Sequence, residues 1–280
     1  MVKIIADTLS CISVERARQL GIDFIPQIIE FGDQSYRDDT EIDSVTFLKK
    51  LRAASTLPKT AAPPPSLYEP YFRKYAQDGQ TVLIICPSGK ISGTVRGAQV
   101  AAQDFPQADI RVIDTLTVGA GLGTLVEQAV EWVNQGQDAD TIERKILAMA
   151  KRERLYFMVD TLEYLQRGGR IGKAAALVGS LLQVKPILTL REGQTEPLEK
   201  QRTKQKALAR ICELVQAECP NGAEGHLKLM QGDAEVDAAY LAKEFKRTLG
   251  IEDVPTYFLP PAILVHAGPG ALGISFFKKE

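Results

Sequence analysis

Ser88-Gly89-Lys90-Ile91-Ser92-Gly93-Thr94 combines hydroxyls and small residues directly after an apolar run and before a helical pattern. Unpaired N–H groups and the positive dipole end at a helix amino terminus favour an anion, to which Ser92 could donate a hydrogen bond. It is not a Walker loop, because Lys90 precedes Gly93 and the GxxxxGK[ST] spacing is absent. An ordinary Ser/Thr helix cap is the competing reading. Gly119-Ala120-Gly121-Leu122-Gly123 contains GxGxG, but Thr124 stands where a dinucleotide fingerprint would need glycine, so no NAD is predicted. Small residues there would instead leave room for a bulky apolar ligand. His266-Ala267-Gly268-Pro269-Gly270 puts a histidine at a predicted strand end, where a site residue would be displayed, although a lone histidine can equally be structural.

The stretch Val159 to Gly172, VDTLEYLQRGGRIG, is the fourth candidate. Asp160 is predicted to cap a short helix, with Glu163 answering three positions on, and Gly168 to end it in the left-handed conformation. Gly169 then bends the chain again and presents Arg170. A helix C-cap followed by a surface arginine remains the alternative.

The elements that must position these loops alternate. Strands are predicted at Val2 to Ala6, Phe24 to Phe31, Thr81 to Cys86 and Ile110 to Ile113. Helices are predicted near Ser13 to Leu20, Ser44 to Ala54, Ser66 to Gln77, Thr94 to Phe105, and from Gly119 to Val133. Leu57 to Pro65, with four prolines, reads as a stiff extended loop. Such alternation predicts parallel β-α units in a three-layer sheet, with ligands beyond the carboxyl ends of the strands. From Thr141 onwards the pattern changes. A helix to Glu153, a strand Leu155 to Val159, a small-residue helix Lys173 to Leu182 and a hairpin of Lys185 to Leu190 with Thr195 to Leu198 come first. Helices Thr203 to Ala217 and Ala234 to Leu249 follow, with strands His226 to Met230, Thr256 to Leu259, Ile263 to Val265 and Gly273 to Phe277. The predicted fold class is therefore α/β with two domains: an α/β/α parallel-sheet domain over 1–145 and a two-layer α+β domain with a mixed sheet over 146–280.

Composition narrows the function. With 34 basic and 35 acidic residues the formal net charge is −1, which leaves no electrostatic footprint for nucleic acid. The amino terminus has too short an apolar run for a signal peptide or a span, so a cytoplasmic protein without stable membrane insertion is expected. Cys11, Cys86, Cys212 and Cys219 show no CxxC spacing and His226 and His266 no ligand pattern, so neither a metal nor a disulfide framework is predicted.

Taken together these stretches resemble the DegV family, whose best-characterised members are the fatty-acid-binding subunits of bacterial fatty acid kinase. The motifs that carry the resemblance run in order: Ala6-Asp7-Thr8, Lys59-Thr60 before prolines, Ser88 to Thr94, Asp114-Thr115 with its glycine helix, VDTLEYLQRGGRIG, Lys185-Pro186-Ile187-Leu188, and His266 to Gly270. The resemblance implies one long-chain fatty acid bound between the two domains, with Thr60, Ser92 and the backbone N–H of Gly93 at the carboxylate and His266 close to the head group. It implies that Arg170 serves phosphoryl transfer or docking of the kinase. The chain departs from the family pattern at Thr60-Ala61-Ala62-Pro63, where Thr-Ser-Gln-Pro is usual, at Gly89, where serine is common, and at Thr8-Leu9, where serine and a small polar residue are usual.

The implied role is a non-catalytic carrier with no cofactor of its own. It would present the fatty acid to a separate kinase subunit and then deliver the acyl phosphate to an acyltransferase of phospholipid synthesis. Two alternatives stay open: a small-molecule kinase subunit related in fold to dihydroxyacetone kinase, and a lipid-sensing regulator.

Overall fold

The computed structural model describes residues 1–180 and 184–279. The chain divides into two compact units, Met1–Lys151 with Pro260–Ala262, and Arg152–Leu259 with Ile263–Glu280.

The first unit contains β1 (Val2–Asp7), α1 (Val14–Leu20), β2 (Asp23–Ile25), β3 (Ile28–Phe31), β4 (Gln34–Arg37), α2 (Ser44–Ala53) and β5 (Lys59–Ala61). It continues with α3 (Glu69–Gln77), β6 (Thr81–Cys86), α4 (Thr94–Ala102), β7 (Ile110–Asp114), α5 (Ala120–Asn134) and α6 (Ala139–Arg152). Strands β2-β1-β6-β7 form a parallel sheet in that order. A parallel sheet is covered on both faces, so its central strand must be apolar throughout, and Val82 to Cys86 are all buried. Val82, Ile84 and Cys86 share a core with Phe72 and Tyr75 of α3 and Ala98 and Ala101 of α4. Side chains alternate along a strand, so Leu83 and Ile85 face the other layer, where α5 packs on β1 and β6.

Two details depart from the sequence reading. The expected strand Phe24 to Phe31 is broken at Pro26-Gln27. Proline offers no N–H to a ladder, and the Gln27 N–H is donated to the Asp38 carboxylate at 2.8 Å. As a result β2 joins the parallel sheet, while β3 joins a small antiparallel sheet of order β4-β3-β5. The proline-rich loop contributes an edge strand, β5, between Pro58 and Pro63.

The second unit contains β8 (Glu153–Met158), α7 (Glu163–Arg167), β9 (Lys185–Arg191), β10 (Gln194–Gln201), α8 (Lys204–Glu218), β11 (Lys228–Gly232), α9 (Glu235–Leu249), β12 (Thr256–Phe258), α10 (Pro261–Ala267, whose first residues belong to the first unit) and β13 (Ala271–Phe277). The sheet order is β10-β9-β8-β13-β11-β12, antiparallel except for the β11–β12 pair. Helices α8 and α9 cover one face, with Ile211, Val215, Leu241 and Phe245 buried against Ile187, Leu229 and Ile274. Thr203 caps α8 by accepting the Lys206 N–H at 3.2 Å. The β9–β10 turn takes φ 50° at Glu192 and 77° at Gly193, as a two-residue hairpin requires.

Here too some expectations are corrected. Ile263 to Val265 is helix, not strand. A short apolar run fits either period, Pro261 suits a first helical turn, and β11 already has β12 and β13 on its two edges. His226 is a left-handed turn residue with φ 45°, and its strand starts at Lys228. The stretch Gly172–Ser180 is 3-10 rather than α-helical, and Leu181 and Leu182 of that expected helix lie outside the described residues.

Candidate functional site

In the first unit, the loops that leave the carboxyl ends of β1, β6 and β7 are tied to one another. The Ser88 N–H donates to the Thr117 carbonyl at 2.8 Å and the Gly119 N–H to the Leu9 carbonyl at 2.7 Å. A Cβ at Gly89 would lie 2.9 Å from the Asp114 carboxylate, which the Gly89 N–H approaches at 3.2 Å. The space beside Gly89 is thus filled by Asp114. Gly123 is likewise filled: a Cβ there would overlap the Ser10 carbonyl, so the small residues opening α5 serve close packing on the β1 loop.

Ser92 stands just before α4. Its Oγ accepts the Thr94 N–H at 3.2 Å and lies 2.9 Å from Thr94 Oγ1. The N–H groups of a first helical turn have no earlier carbonyl in the helix to bond, which makes this end electropositive. The segment after β5 presses on the same end. A Cβ at Gly93 would lie 2.9 Å from the Ala62 Cβ, and one at Gly97 would lie 2.8 Å from the Pro63 carbonyl. Thr60 itself is on β5, paired in register with Ile29. Thr60, Ser92 and Gly93 therefore belong to two adjoining segments.

In the second unit, two motifs 100 residues apart interlock through glycines. A Cβ at Gly168 would overlap the His266 imidazole, one at Gly268 the Tyr164 ring, and one at Gly270 the Asp160 carboxylate. Arg170 donates from Nη1 to the Gly168 carbonyl at 2.7 Å. Burial of the imidazole, and then the nearby Arg170 guanidinium, push the His266 pKa down to about 4, so this histidine is neutral at pH 7. His266 and Arg170 are thus brought together.

The local geometry corrects the expectation for these motifs. Asp160 does not cap α7. The Glu163 N–H goes instead to Thr161 Oγ1 at 3.2 Å, and Asp160 lies 3.9 Å from Lys204 Nζ. The left-handed residue is Gly169, at φ 70°, whereas Gly168 stays helical at φ −76° and is glycine because the His266 ring leaves no room for a Cβ. His266 ends helix α10 and not a strand.

Sequence reasoning missed a buried polar network under Ser92. Asp7 accepts Gln27 Nε2 at 2.7 Å, Thr94 Oγ1 at 3.0 Å and the Leu9 N–H at 3.1 Å. Asp38 accepts Thr8 Oγ1 at 2.9 Å in addition to the Gln27 N–H. Burial raises both carboxyls to about 7, with the neighbouring Asp38 charge adding to the effect on Asp7. Asp7 at a strand end was a readable signal. Gln27 and Asp38 carry no pattern and meet it only in three dimensions. Among the described residues no group of three or more His, Cys, Asp or Glu side chains could hold a metal ion, and no helix is long and apolar enough to cross a membrane.

Comparison with known proteins places the chain. It is 32% identical over 280 residues to a DegV domain-containing protein of Halalkalibacterium halodurans, covering 100% of this chain and 99% of that one. It is 31% identical over 279 residues to Protein DegV of Bacillus subtilis, covering 99% of each. Among solved structures, a DegV family protein from Thermus thermophilus described by its fatty acid binding superposes with a TM-score of 0.91 at 30% identity, covering 99% of each chain. DegV of Bacillus subtilis, described as a fatty acid binding protein, superposes with a TM-score of 0.85 at 31% identity, covering 99% of each chain. The family model of DegV, described as uncharacterised proteins, matches residues 1–279, and the chain belongs to the DegV family.

Proposed function

We propose that this protein binds one long-chain fatty acid and presents its carboxylate for phosphorylation by a separate kinase subunit. The observation that carries the reading is Ser92, a hydroxyl at the electropositive end of α4 beside Gly93, in a chain about 30% identical to proteins described as fatty acid binding. Thr60, Ser92 and the Gly93 N–H hold the carboxylate, and His266 lies near the head group. Arg170 serves phosphoryl transfer or docks the kinase, and the acyl phosphate passes to an acyltransferase. The role is non-catalytic in the absence of that partner.

The energetics support this division of labour. At about 0.8 kcal/mol per buried CH₂, a long acyl tail contributes on the order of 10 kcal/mol before ordering costs. A charge-assisted hydrogen bond to the head contributes about 1.5–3 kcal/mol. The tail supplies affinity and the polar groups set orientation.

The test is organic extraction of the purified protein followed by mass spectrometry. One acyl chain per polypeptide is expected, and none at any stoichiometry would remove the proposal. Adding a fatty acid kinase subunit and ATP then tests the second half, with acyl phosphate as the expected product.

A further inference from the structure

The network beneath Ser92 has a directional property. Thr94 Oγ1 lies 3.0 Å from Asp7 Oδ2, 3.1 Å from Gln27 Nε2 and 2.9 Å from Ser92 Oγ. A hydroxyl has one proton to give. Gln27 is a donor to Thr94, so the Thr94 proton goes either to Asp7 or to Ser92 and cannot go to both.

With Asp7 ionised, Thr94 donates to Asp7, and its remaining lone pair draws the Ser92 proton inward. With a proton on Asp7 Oδ2, Asp7 donates to Thr94 and Thr94 donates to Ser92. The Ser92 oxygen then accepts both from Thr94 Oγ1 and from the Thr94 N–H, which leaves its own proton directed out of the network. One proton taken up at Asp7 thus reverses two hydroxyls, and no covalent bond to carbon or nitrogen changes.

We propose that Asp7 and Thr94 are positioning residues for the fatty acid head group: a proton on Asp7 turns the Ser92 hydroxyl outward as a donor to the carboxylate, and loss of that proton turns it inward. This rests on the reading of Ser92 as a carboxylate-binding residue. Apart from its hydrogen-bond partners, the groups bearing on Asp7 are Asp38 from the segment after β4, the Tyr68 hydroxyl from the segment before α3 and the Cys86 thiol of β6. Burial raises both Tyr68 and Cys86, so they stay neutral, and the groups that take up a proton near pH 7 are Asp7 and Asp38. Asp7 is 2% exposed, so its ionised form is stabilised only by the network it orients.

The experiment is palmitate binding to the delipidated full chain between pH 6 and pH 8, for wild type, Asp7→Asn, Thr94→Val, Thr94→Ser and Ser92→Ala. Titration of palmitate itself is common to all variants, so differences in slope report the protein. Wild type is expected to lose about tenfold in affinity as pH rises through 7, the worth of one hydrogen bond to a charged group. Asp7→Asn, which carries no titratable proton, should remove the slope. Thr94→Val should flatten the profile, and Thr94→Ser should restore it. A wild-type slope in both Asp7→Asn and Thr94→Val, with Ser92→Ala still weakened, overturns the proposal and leaves the head-group reading standing. Ser92→Ala binding palmitate as tightly as wild type removes that reading and the proposal with it. Should Asp7→Asn fail to fold, the Thr94→Val and Thr94→Ser pair decides alone.

Discussion

Gly168 and His266 are in such close contact that the glycine's missing Cβ is the space the imidazole ring fills. The helix end that precedes Arg170 and the end of α10 that carries the histidine therefore share one packed interface inside the second unit. Gly168→Ala must move the ring or the helix end, and overpacking of this kind costs about 1–3 kcal/mol. In a His266→Ala background the same substitution should cost less than about 1 kcal/mol, because the space has been vacated. Urea denaturation of the four proteins measures the coupling, and additive costs would mean that the two residues do not meet.

Ser92→Ala should weaken fatty acid binding by about tenfold or more, the loss of a hydrogen bond to a charged group. The same hydroxyl, one residue before the Gly93 N-cap, accepts the Thr94 N–H. Stability should therefore also fall by about 1 kcal/mol, with the fold intact. Calorimetric titration and thermal denaturation separate the two effects.

Gly93→Ala should displace the segment after β5, since its Cβ would meet that of Ala62 at 2.9 Å. A destabilisation of about 1–3 kcal/mol is expected. The Ala62→Gly substitution in the same chain should recover most of it. Recovery of fatty acid binding in the double variant would tie the Thr60 segment to Ser92 and Gly93, and failure to recover stability would contradict the contact.

The pH dependence of stability has two opposed parts. Asp7 and Asp38 are raised from 3.8 to about 7 by burial, so the folded state holds protons that the unfolded state has released. Their contribution is complete below about pH 4 and is lost as pH rises towards 7. His266 is lowered from 6.5 to about 4, so its contribution is complete above about pH 6.5 and is lost as pH falls towards 4. Asp7→Asn should flatten the decline between pH 4 and 7, and His266→Ala should steepen the decline over pH 4 to 6.5. Melting temperatures across that window check both signs.

Arg170→Ala should leave fatty acid affinity within about twofold while impairing phosphorylation by a kinase subunit. Its hydrogen bond from the charged guanidinium to the Gly168 carbonyl is charge-assisted, and its loss costs about 1.5–3 kcal/mol. Equal loss of binding and of phosphorylation would contradict the assigned role. Measuring both on one preparation decides it.

Much of the architecture is readable because it rests on period and punctuation. The apolar run Thr81 to Cys86 can only be a strand buried on both faces, and β6 has those bounds. Ser13 and Gly21 bracket α1 as cap and left-handed stop, and Thr203 caps α8. The misread pieces are those where two periods fit equally. Ile263 to Val265 is too short to distinguish helix from strand, and its helical state follows from a sheet position already taken by β13. Phe24 to Phe31 reads as one apolar run, yet Pro26 and the bond from Gln27 to Asp38 divide it between two sheets.

By itself the sequence determined the α/β class and the loops in which Ser92, Gly93 and Arg170 stand, because local periodicity, caps and turn residues act within a few positions of the chain, whereas Thr60 lies on β5 and His266 ends α10. It also placed Gly168 and Gly169 together, but assigned the left-handed conformation to Gly168, whereas Gly169 takes it and Gly168 yields space. Tertiary structure alone decided that, by packing His266 against a helix end nearly 100 residues earlier in the chain. It likewise decided that Asp7, Gln27, Asp38 and Thr94 form one network under Ser92. Burial of polar groups is satisfied by whatever partner folding brings within about 3 Å, and no spacing in the chain encodes that partner.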